Sequence, residues 1–136
     1  MIESAGFVII KNNKILLCHP TKAKWDKTFS IPKGQVEKGE DLVESAIRET
    51  YEEVGLLFEQ KDIDKTQYVI DYVNKAGRMY KRVFYFIVNE MKDIPDVIPK
   101  DQLQLSEIDW AGFMDYETAK EKIFWRFEPI LDLIKK

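Results

Sequence analysis

Residues 34–56 carry the stretch that organises the chain, GQVEKGEDLVESAIRETYEEVGL. Within it, small or apolar side chains recur three and four residues apart, the spacing of a stripe that one helix face buries. They are Val43, Ala46, Ile47, Thr50 and Val54. Asp41 followed by Glu44 suits a helix N-cap with its reciprocal glutamate, and Gly55 suits the left-handed residue just past a helix end. The stretch therefore predicts a helix over about residues 41–54.

Three glutamates share one face of this predicted helix. Glu49, Glu52 and Glu53 lie three and four residues apart, so their side chains project in one direction. A solvated acidic face, with Glu44 and Arg48 as an ordinary ion pair, is the simpler interpretation. However, like charges at i and i+4 weaken an isolated helix by about 0.2–0.5 kcal/mol, whereas a divalent cation turns the repulsion into coordination. Oxygen ligands without paired His or Cys favour a hard ion, Mg²⁺ first and Mn²⁺ second.

The spacing of these residues resembles the signature of the Nudix hydrolase family. The family pattern is Gly-x5-Glu-x7-Arg-Glu-U-x-Glu-Glu-x-Gly-U, where U is a bulky apolar residue, and the chain matches it from Gly34 to Leu56 without a gap. Thr50 at the first U is the one departure, and its methyl group still allows packing. The resemblance implies an α/β protein, a Nudix-type α/β/α sandwich with a mixed central β-sheet, that hydrolyses a phosphoanhydride bond with Mg²⁺.

The resemblance also implies roles for individual residues. The implied metal ligands are the Gly34 carbonyl and the carboxylates of Glu49, Glu52 and Glu53. Arg48 is implied to orient these acids without binding substrate, with Glu40 as a structural partner in the same network. The general base stays open, because family members differ on this point. The candidates are Glu53, Glu49 and Glu107.

Length and composition limit the class of protein. The 136 residues suit one domain, over residues 1–136, that buries roughly two-thirds of its unfolded surface. The 21 basic and 24 acidic residues give a net charge of −3, which argues against general nucleic-acid coating and anionic membrane binding. The single cysteine, Cys18, cannot form an internal disulfide, and the N-terminus lacks a basic segment followed by a long apolar run. We therefore expect a cytoplasmic protein.

Upstream of the central stretch, two apolar runs at residues 4–10 and 14–20 flank an Asn-Asn pair, a pattern that predicts a β-hairpin. His19 ends the second run, and a structural role is favoured over a catalytic one. The Pro32-Lys33-Gly34 triplet resembles the Nudix branch that cleaves dinucleoside polyphosphates. This resemblance implies that Lys33 contacts a phosphate oxygen, and the alternative is an exposed loop lysine.

Downstream, residues 66–73 and 78–88 are rich in β-branched and aromatic side chains and flank a polar turn, which predicts a second hairpin. Because both faces of these strands are apolar, helices are expected on both sides of the sheet. The hairpin also mixes tyrosines with basic residues, as expected where a base stacks and phosphates are neutralised. The predicted substrate-binding residues are Lys33, Tyr72, Tyr80, Lys81, Arg82 and Tyr85. The alternative for the tyrosines is the core.

The last third of the chain predicts packing elements and one more acid. Residues 89–104 are polar and are expected to border the cleft. Residues 103–113 predict a short strand that presents Glu107 on one face. The amphipathic residues 115–136 predict packing helices, the second with Pro129 in its first turn.

These features together predict an enzyme acting on a nucleotide. Tyr72 lies 16 residues beyond Leu56, where Nudix enzymes of diadenosine polyphosphates tend to carry a tyrosine and ADP-ribose hydrolases a proline. The favoured reaction is hydrolysis of diadenosine tetraphosphate to ATP and AMP. RNA 5′-triphosphate ends, nucleoside triphosphates, including oxidised ones, and diphosphoinositol phosphates remain open, as does a regulatory domain that binds a nucleotide without cleaving it. The expected partner is a small nucleotide, and both monomer and homodimer are open.

Overall fold

A six-stranded mixed β-sheet forms the centre of the protein. The computed structural model describes residues 1–89 and 93–135. The strands are β1 (Ile2–Lys11), β2 (Lys14–Pro20), β3 (Lys33–Gln35), β4 (Asp64–Val73), β5 (Met79–Asn89) and β6 (Ile108–Met114). Their order is β4-β5-β1-β2-β6, with β3 paired to β1. The β1–β5 pair is parallel and the other pairs are antiparallel, so the predicted mixed sheet is confirmed.

Helices cover both faces of this sheet. One face packs against α1 (Leu42–Val54), and the other against α2 (Tyr116–Lys122) and a 3₁₀ segment (Trp125–Leu133). Neighbouring residues of β1 show the division, because Phe7 is buried on the α1 side and Val8 on the opposite side. The α/β/α sandwich is therefore confirmed. Within the described residues, no helix has the length and apolar character needed to cross a membrane.

The ends of α1 are set by the residues that the sequence indicated. Asp41 Oδ1 accepts a hydrogen bond from the Glu44 N–H at 2.8 Å, and Glu44 Oε1 accepts one from the Asp41 N–H at 3.4 Å. At the other end Gly55 has φ +72° and donates its N–H to the Tyr51 carbonyl at 3.0 Å. Such caps satisfy backbone groups that an α-helix leaves unpaired. They also fix where on the helix axis the acids project.

Both predicted hairpins are present. Asn12 and Asn13 take positive φ values of 52° and 59° in the first turn, which suits asparagine in a tight β-hairpin. In the second, the Asn74 side chain accepts hydrogen bonds from the N–H groups of Ala76 and Arg78, both at 3.0 Å. β5 then pairs with one edge of β1 in the middle of the sheet, and β3 pairs with the opposite edge of β1.

Two predictions for the last third of the chain were wrong. Residues Trp125–Leu133 form a 3₁₀ segment, with Pro129 inside it, where a second α-helix beginning near Pro129 was predicted. Proline lacks an N–H and clashes with the preceding turn of an α-helix, so the chain adopts a different turn. β6 begins at Ile108, and Glu107 lies before it in a turn closed by its N–H donating to the Gln104 carbonyl at 2.8 Å.

The polar connection between β5 and β6 is only partly described. Of the predicted segment 89–104, residues 90–92 lie outside the described residues. Its later part contains a short 3₁₀ turn, Lys100–Gln102, and buries Ile98 and Leu103 in the core on the α1 side. This connection therefore packs against the same layer as the acidic helix. A further 3₁₀ turn lies after α1 and precedes β4.

Candidate active site

β3 brings the backbone of Gly34 against α1. Antiparallel pairing fixes this short strand on β1, with Gly34 opposite Ala5. A Cβ atom at Gly34 would lie 1.9 Å from Glu49 Oε2, so only glycine allows the acid to approach the strand this closely. The predicted backbone ligand and one predicted acidic ligand are therefore neighbours.

Glu53, on the last turn of α1, contacts the same strand one residue earlier. Its Oε1 accepts a hydrogen bond from the Lys33 N–H at 2.9 Å. Burial raises the pKa of Glu53 to about 8, against the opposing effect of the Lys33 ammonium group. A cation placed beside this carboxyl would stabilise its charged form. Glu53 is thus a half-buried acid in a position that favours a positively charged ligand.

Arg48 holds the surrounding acids in place. Its guanidinium donates to Glu40 at 2.7 and 3.0 Å and to Glu49 at 2.8 Å. It also donates to both carboxylate oxygens of Glu52 at 3.2 Å and to the Gln35 carbonyl at 3.1 Å. The hydrogen bonds from Arg48 lower the pKa of Glu40 to about 2. Because its donors are directed at protein groups, these contacts fit the implied role of orienting the acids.

The three acids form a donor set for a hard cation. The side chains of Glu49 and Glu52 are 15% and 44% exposed, and burial raises the pKa of Glu49. Across residues 1–89 and 93–135, no three His, Cys, Asp or Glu side chains already converge as a metal cage, since Glu49 contacts Arg48 and Glu53 the Lys33 amide. Every available donor is nevertheless oxygen, and two of the acids flank β3. By ligand chemistry these residues fit Mg²⁺.

Glu107 faces the same cavity as Glu53. This cavity, of about 120 Å³, is lined by both acids, by Lys33 and by the neighbouring residues of β2, β6 and the loop before β3. The turn that carries Glu107 is attached to α1, because the Gln104 N–H donates to the Glu53 carbonyl at 3.0 Å. The sequence analysis was therefore wrong to predict Glu107 on a strand. The residue nevertheless lies beside the acidic helix and remains a candidate base.

His19 is buried outside this cavity. Its Nδ1 lies 2.6 Å from Asp109 Oδ1, and its Nε2 lies 3.0 Å from the Lys24 carbonyl oxygen. The ring stacks on Trp25, with centroids 3.6 Å apart and planes at 3°. These contacts fasten the loop after β2 to β6, which fits the expected structural role.

A group of basic side chains lies beside the cavity, on an aromatic floor. We refer to Lys33, Lys81 and Arg126 as the cation cluster. The ammonium nitrogen of Lys81 and the guanidinium carbon of Arg126 lie 5.0 and 3.9 Å from the Tyr72 ring centroid. The Lys33 ammonium nitrogen lies 5.5 Å from the Phe127 ring centroid. The two rings are 6.5 Å apart, so three cations from three segments share one surface.

Sequence reasoning missed Arg126. It follows two aromatic residues in the run 124–127, Phe-Trp-Arg-Phe, and this mixture of aromatic and basic side chains is the one local signal for it. Its approach to Tyr72 depends on the 3₁₀ segment, which the sequence predicted as an α-helix. A local pattern therefore gave no reason to connect Arg126 with the hairpin.

The structure does not bring all the predicted substrate residues together. Tyr85 is fully buried, and its hydroxyl donates to the Ile31 carbonyl at 3.3 Å, so its prediction as a substrate contact was wrong. β5 aims it into the core on the α2 side. Arg82 follows Lys81 on the same strand and so points to the opposite face. There it donates to Asp71 Oδ1 at 2.6 Å, away from the cation cluster.

The remaining predicted contacts do lie near one another. Tyr72 is 8% exposed and Tyr80 is 44% exposed. Their rings meet edge to face, with centroids 6.1 Å apart. Tyr80 thus extends the aromatic floor from the buried Tyr72 toward solvent, next to Lys81.

Comparison with known proteins gives the family. A family model for the NUDIX domain matches residues 2–133. The chain belongs to the NUDIX family. Its matching region includes both the acid-bearing stretch and the hairpin of the cation cluster.

The names of two relatives refer to RNA, and one similar structure is that of an Ap4A hydrolase. The mRNA-decapping enzyme subunit 2 of Saccharomyces cerevisiae is 30% identical over 115 residues, which cover 82% of this chain and 11% of the yeast protein. An RNA pyrophosphohydrolase of Ruthia magnifica is 26% identical over 151 residues, and the match covers 99% of this chain and 83% of that protein. The structure of a C. elegans Ap4A hydrolase has a TM-score of 0.69 at 24% identity, covering 97% of this chain and 93% of that one. This last likeness shows the shared fold.

Proposed function

We propose that this Nudix hydrolase is a divalent-metal-dependent pyrophosphohydrolase of nucleoside polyphosphates, with diadenosine tetraphosphate, cleaved to ATP and AMP, as its preferred substrate. The observation that carries the proposal is the cavity shared by Glu53, Glu107 and Lys33. A phosphoanhydride is densely negative, so its cleavage requires acids that hold a cation, a base for water and positive groups on the phosphate oxygens. Residues suited to all three tasks border this cavity.

The proposed cofactor is Mg²⁺, with Mn²⁺ as the alternative. Gly34, Glu49, Glu52 and Glu53 are the residues that would hold it. When bound, such an ion neutralises phosphate charge and makes water a stronger acid. Arg48 is a positioning residue, because its hydrogen bonds restrain Glu49 and Glu52 on the helix face.

The proton of the attacking water goes to a glutamate in this proposal. Glu53 and Glu107 line the cavity and are the first candidates, and Glu49, which is engaged by Arg48, is the third. Glu107 is exposed and lies on a turn outside α1, so its side chain has more freedom to approach water than the acids of the helix. Separate Glu→Gln variants at these positions, each with a pH–rate profile, distinguish the base from the acids that only hold charge.

The substrate phosphates are assigned to Lys33 and Lys81. Lys33 lines the cavity that holds the candidate bases, and Lys81 lies beyond it on the hairpin. Ammonium groups at these positions offset charge on a phosphate chain that extends away from the cleaved bond. Tyr80 is the aromatic residue exposed enough to contact a base.

Two substrate classes have specific support. Diadenosine tetraphosphate is favoured by the Pro32-Lys33-Gly34 triplet and by a tyrosine at position 72, both of which resemble the diadenosine-polyphosphate branch of the family. A 5′-phosphorylated RNA end is the second candidate, because the named relatives from yeast and Ruthia magnifica act on RNA. We further propose that residues 1–136 act as one domain in the cytoplasm, as a monomer or homodimer.

The test is product analysis. The protein is incubated with Mg²⁺ or Mn²⁺ and diadenosine tetraphosphate, ADP-ribose, nucleoside triphosphates or triphosphorylated RNA, and the products are separated by anion-exchange chromatography. Glu53→Gln runs beside the wild type. Glu44→Gln is the matched control, since it makes the same charge change on the same helix while glutamine still serves the capping box.

Cleavage of diadenosine tetraphosphate to ATP and AMP by the wild type and by Glu44→Gln, but not by Glu53→Gln, is the expected result. Cleavage of the RNA end in preference to the dinucleotide would move the second candidate ahead. If a nucleotide binds and every substrate stays intact, the protein is a regulatory nucleotide-binding domain and the enzymatic proposal is wrong.

A further inference from the structure

The cation cluster brings three positively charged side chains together, and their like charges repel one another. Burial, together with Lys33 and Arg126, lowers the pKa of Lys81, as expected where like charges approach in a partly dry environment. Within the described part of the chain, none of the three cations has a carboxylate within the 4.0 Å of an ion pair. Such an arrangement is unfavourable until an anion binds, and it suits a ligand with several negative charges.

Arg126 occupies the place where a nucleotide base was expected. Its guanidinium carbon lies 3.9 Å from the Tyr72 ring centroid, a stacking distance. Tyr72 is 8% exposed, so little of its ring remains for a base. Tyr72 therefore stacks on a cation, and the group that a substrate would contact at this position is the positively charged guanidinium of Arg126.

We propose that Arg126 is a specificity-determining residue that, with Lys33 and Lys81, binds the phosphates beyond the cleaved bond, so that the protein selects substrates by the number of phosphates more than by the base. This inference rests on the proposed function for its catalytic consequence, but the binding it describes does not require cleavage. The ligand class is a linear chain of three or more phosphates. A nucleotide, an RNA 5′ end and an inorganic chain share this chemistry.

The three cations have the geometry for this task. Lys33 belongs to the strand that contacts Glu53 and lies nearest the acids, whereas Lys81 and Arg126 share the ring of Tyr72. A diphosphate bound at Lys33 extends little beyond it, and additional phosphates reach toward the other two cations. Guanidinium binds phosphate oxygens through two N–H groups at once, which makes Arg126 the stronger of these outer contacts.

The experiment measures binding of inorganic pyrophosphate and tripolyphosphate by calorimetry in EDTA, so that neither metal nor turnover contributes. Arg126→Gln removes the charge but keeps a planar amide that can stack on Tyr72, and Arg126→Lys keeps the charge without the planar group. Lys120→Gln is the matched control, because it removes a cation that lies 5.8 Å from the ring centroid of Tyr116 on α2. Circular dichroism verifies that each variant is folded.

We expect the wild type and Lys120→Gln to bind tripolyphosphate at least about tenfold more tightly than pyrophosphate, in line with an added charged hydrogen bond. Arg126→Gln should lose this difference, and Arg126→Lys should keep part of it. Equal weakening of both probes by Arg126→Gln, or no weakening, would overturn the inference. So would loss of binding in Arg126→Lys alone, which would assign Arg126 a stacking role.

A second arm separates this inference from the proposed function. Diadenosine polyphosphates with two to five phosphates, and guanosine analogues of the same length, are compared by kcat/KM. The expected result is a dependence on phosphate number that Arg126→Gln removes, with a small effect of the base. If the wild type binds tripolyphosphate more tightly than pyrophosphate and yet cleaves none of these substrates, the proposed function is wrong. In that case the inference that the cation cluster selects for phosphate number is supported.

Discussion

The acidic helix and the cation cluster lie side by side but are built in different ways. The acids and Arg48 come from one helix, α1, where a separation of three or four residues is enough to place them together. The cluster takes one residue from each of three segments: β3, β5 and the C-terminal 3₁₀ segment. The first arrangement is local in sequence, and the second exists only when the sheet and its covering layers have assembled.

The difference has a consequence for chemistry. Residues fixed on one helix keep their relative positions, as catalysis requires of groups that act together. The cluster combines a strand, a hairpin and a covering segment, so one member can change without moving the acids. We therefore expect the acids to determine the rate of cleavage and the cluster to determine which phosphate chain is cleaved.

The largest expected effect tests this division directly. Glu53→Gln should reduce kcat by about 10³-fold, within the range for loss of an acid–base group, and leave tripolyphosphate binding unchanged. Arg126→Gln should raise KM for long phosphate chains and leave kcat nearly unchanged. Steady-state kinetics of both variants with diadenosine tetraphosphate provide the measurement. If Arg126→Gln lowers kcat as much as Glu53→Gln does, the acids do not determine the rate separately from the cation cluster, and the proposed division of roles is wrong.

The same difference explains what the sequence could predict. The caps of α1, its buried stripe and its acids follow from helical spacing, and the Asn-Asn turn follows from the φ values that asparagine tolerates. The apolar character of both faces of the hairpin at residues 66–88 predicted helices on both sides of the sheet. Each of these signals lies within a few residues of its consequence.

The errors involve residues whose neighbours are distant in the chain. Tyr85 and Lys81 lie on one face of the same strand. The C-terminal segment covers Tyr85, whereas Lys81 reaches the cleft, and the local sequence does not distinguish the two positions. Arg126 was missed because the ring that it contacts, that of Tyr72, lies on a strand far away in the chain. Glu107 was placed on a strand because alternation continues across the turn that precedes β6. Local patterns gave the elements, and their packing decided which side chains meet.

A second test concerns the buried charge of the acidic region. The pKa of Glu53 is about 8 in the folded, metal-free protein, against about 4.3 when unfolded. Between these values the folded state holds a proton that the unfolded state has lost, so the free energy of unfolding falls as pH rises, by up to about 5 kcal/mol in total. Urea unfolding in EDTA at pH 5 and pH 8 measures the change.

Glu53→Gln provides the control for this pH dependence, because it has no proton to lose and should show a much flatter profile. The pKa of Glu40, about 2, keeps that acid ionised across the whole range. The contribution of Lys81 to stability changes with pH in the opposite direction. Burial lowers the pKa of Lys81, so its contribution to the free energy of unfolding rises with pH on the alkaline side. A wild-type profile that is as flat as that of the variant would mean that Glu53 is already charged, and the acidic region would not need a cation.

A third test concerns the contact between β3 and the helix. Gly34→Ala places a Cβ atom 1.9 Å from Glu49 Oε2, so we expect a loss of about 1–3 kcal/mol in the free energy of unfolding, as for other overpacked sites. Activity should fall with it, because the acid must move. In a Glu49→Ala background the same change should cost much less. Equal costs in both backgrounds would show that the strand, and not the acid, requires glycine.

The smallest expected effect comes from Thr50, where the helix departs from the apolar pattern of its family. Its side chain is fully buried and its hydroxyl has no hydrogen-bond partner in the described structure. Thr50→Val keeps the shape and removes a buried polar group, so the free energy of unfolding should rise by about 1 kcal/mol. Chemical denaturation measures this, with Thr50→Ser as the control that keeps the hydroxyl and loses the methyl group. Because Thr50 faces the core, kcat and tripolyphosphate binding should not change, and a change in kcat without a gain in stability would make Thr50 part of the acid site.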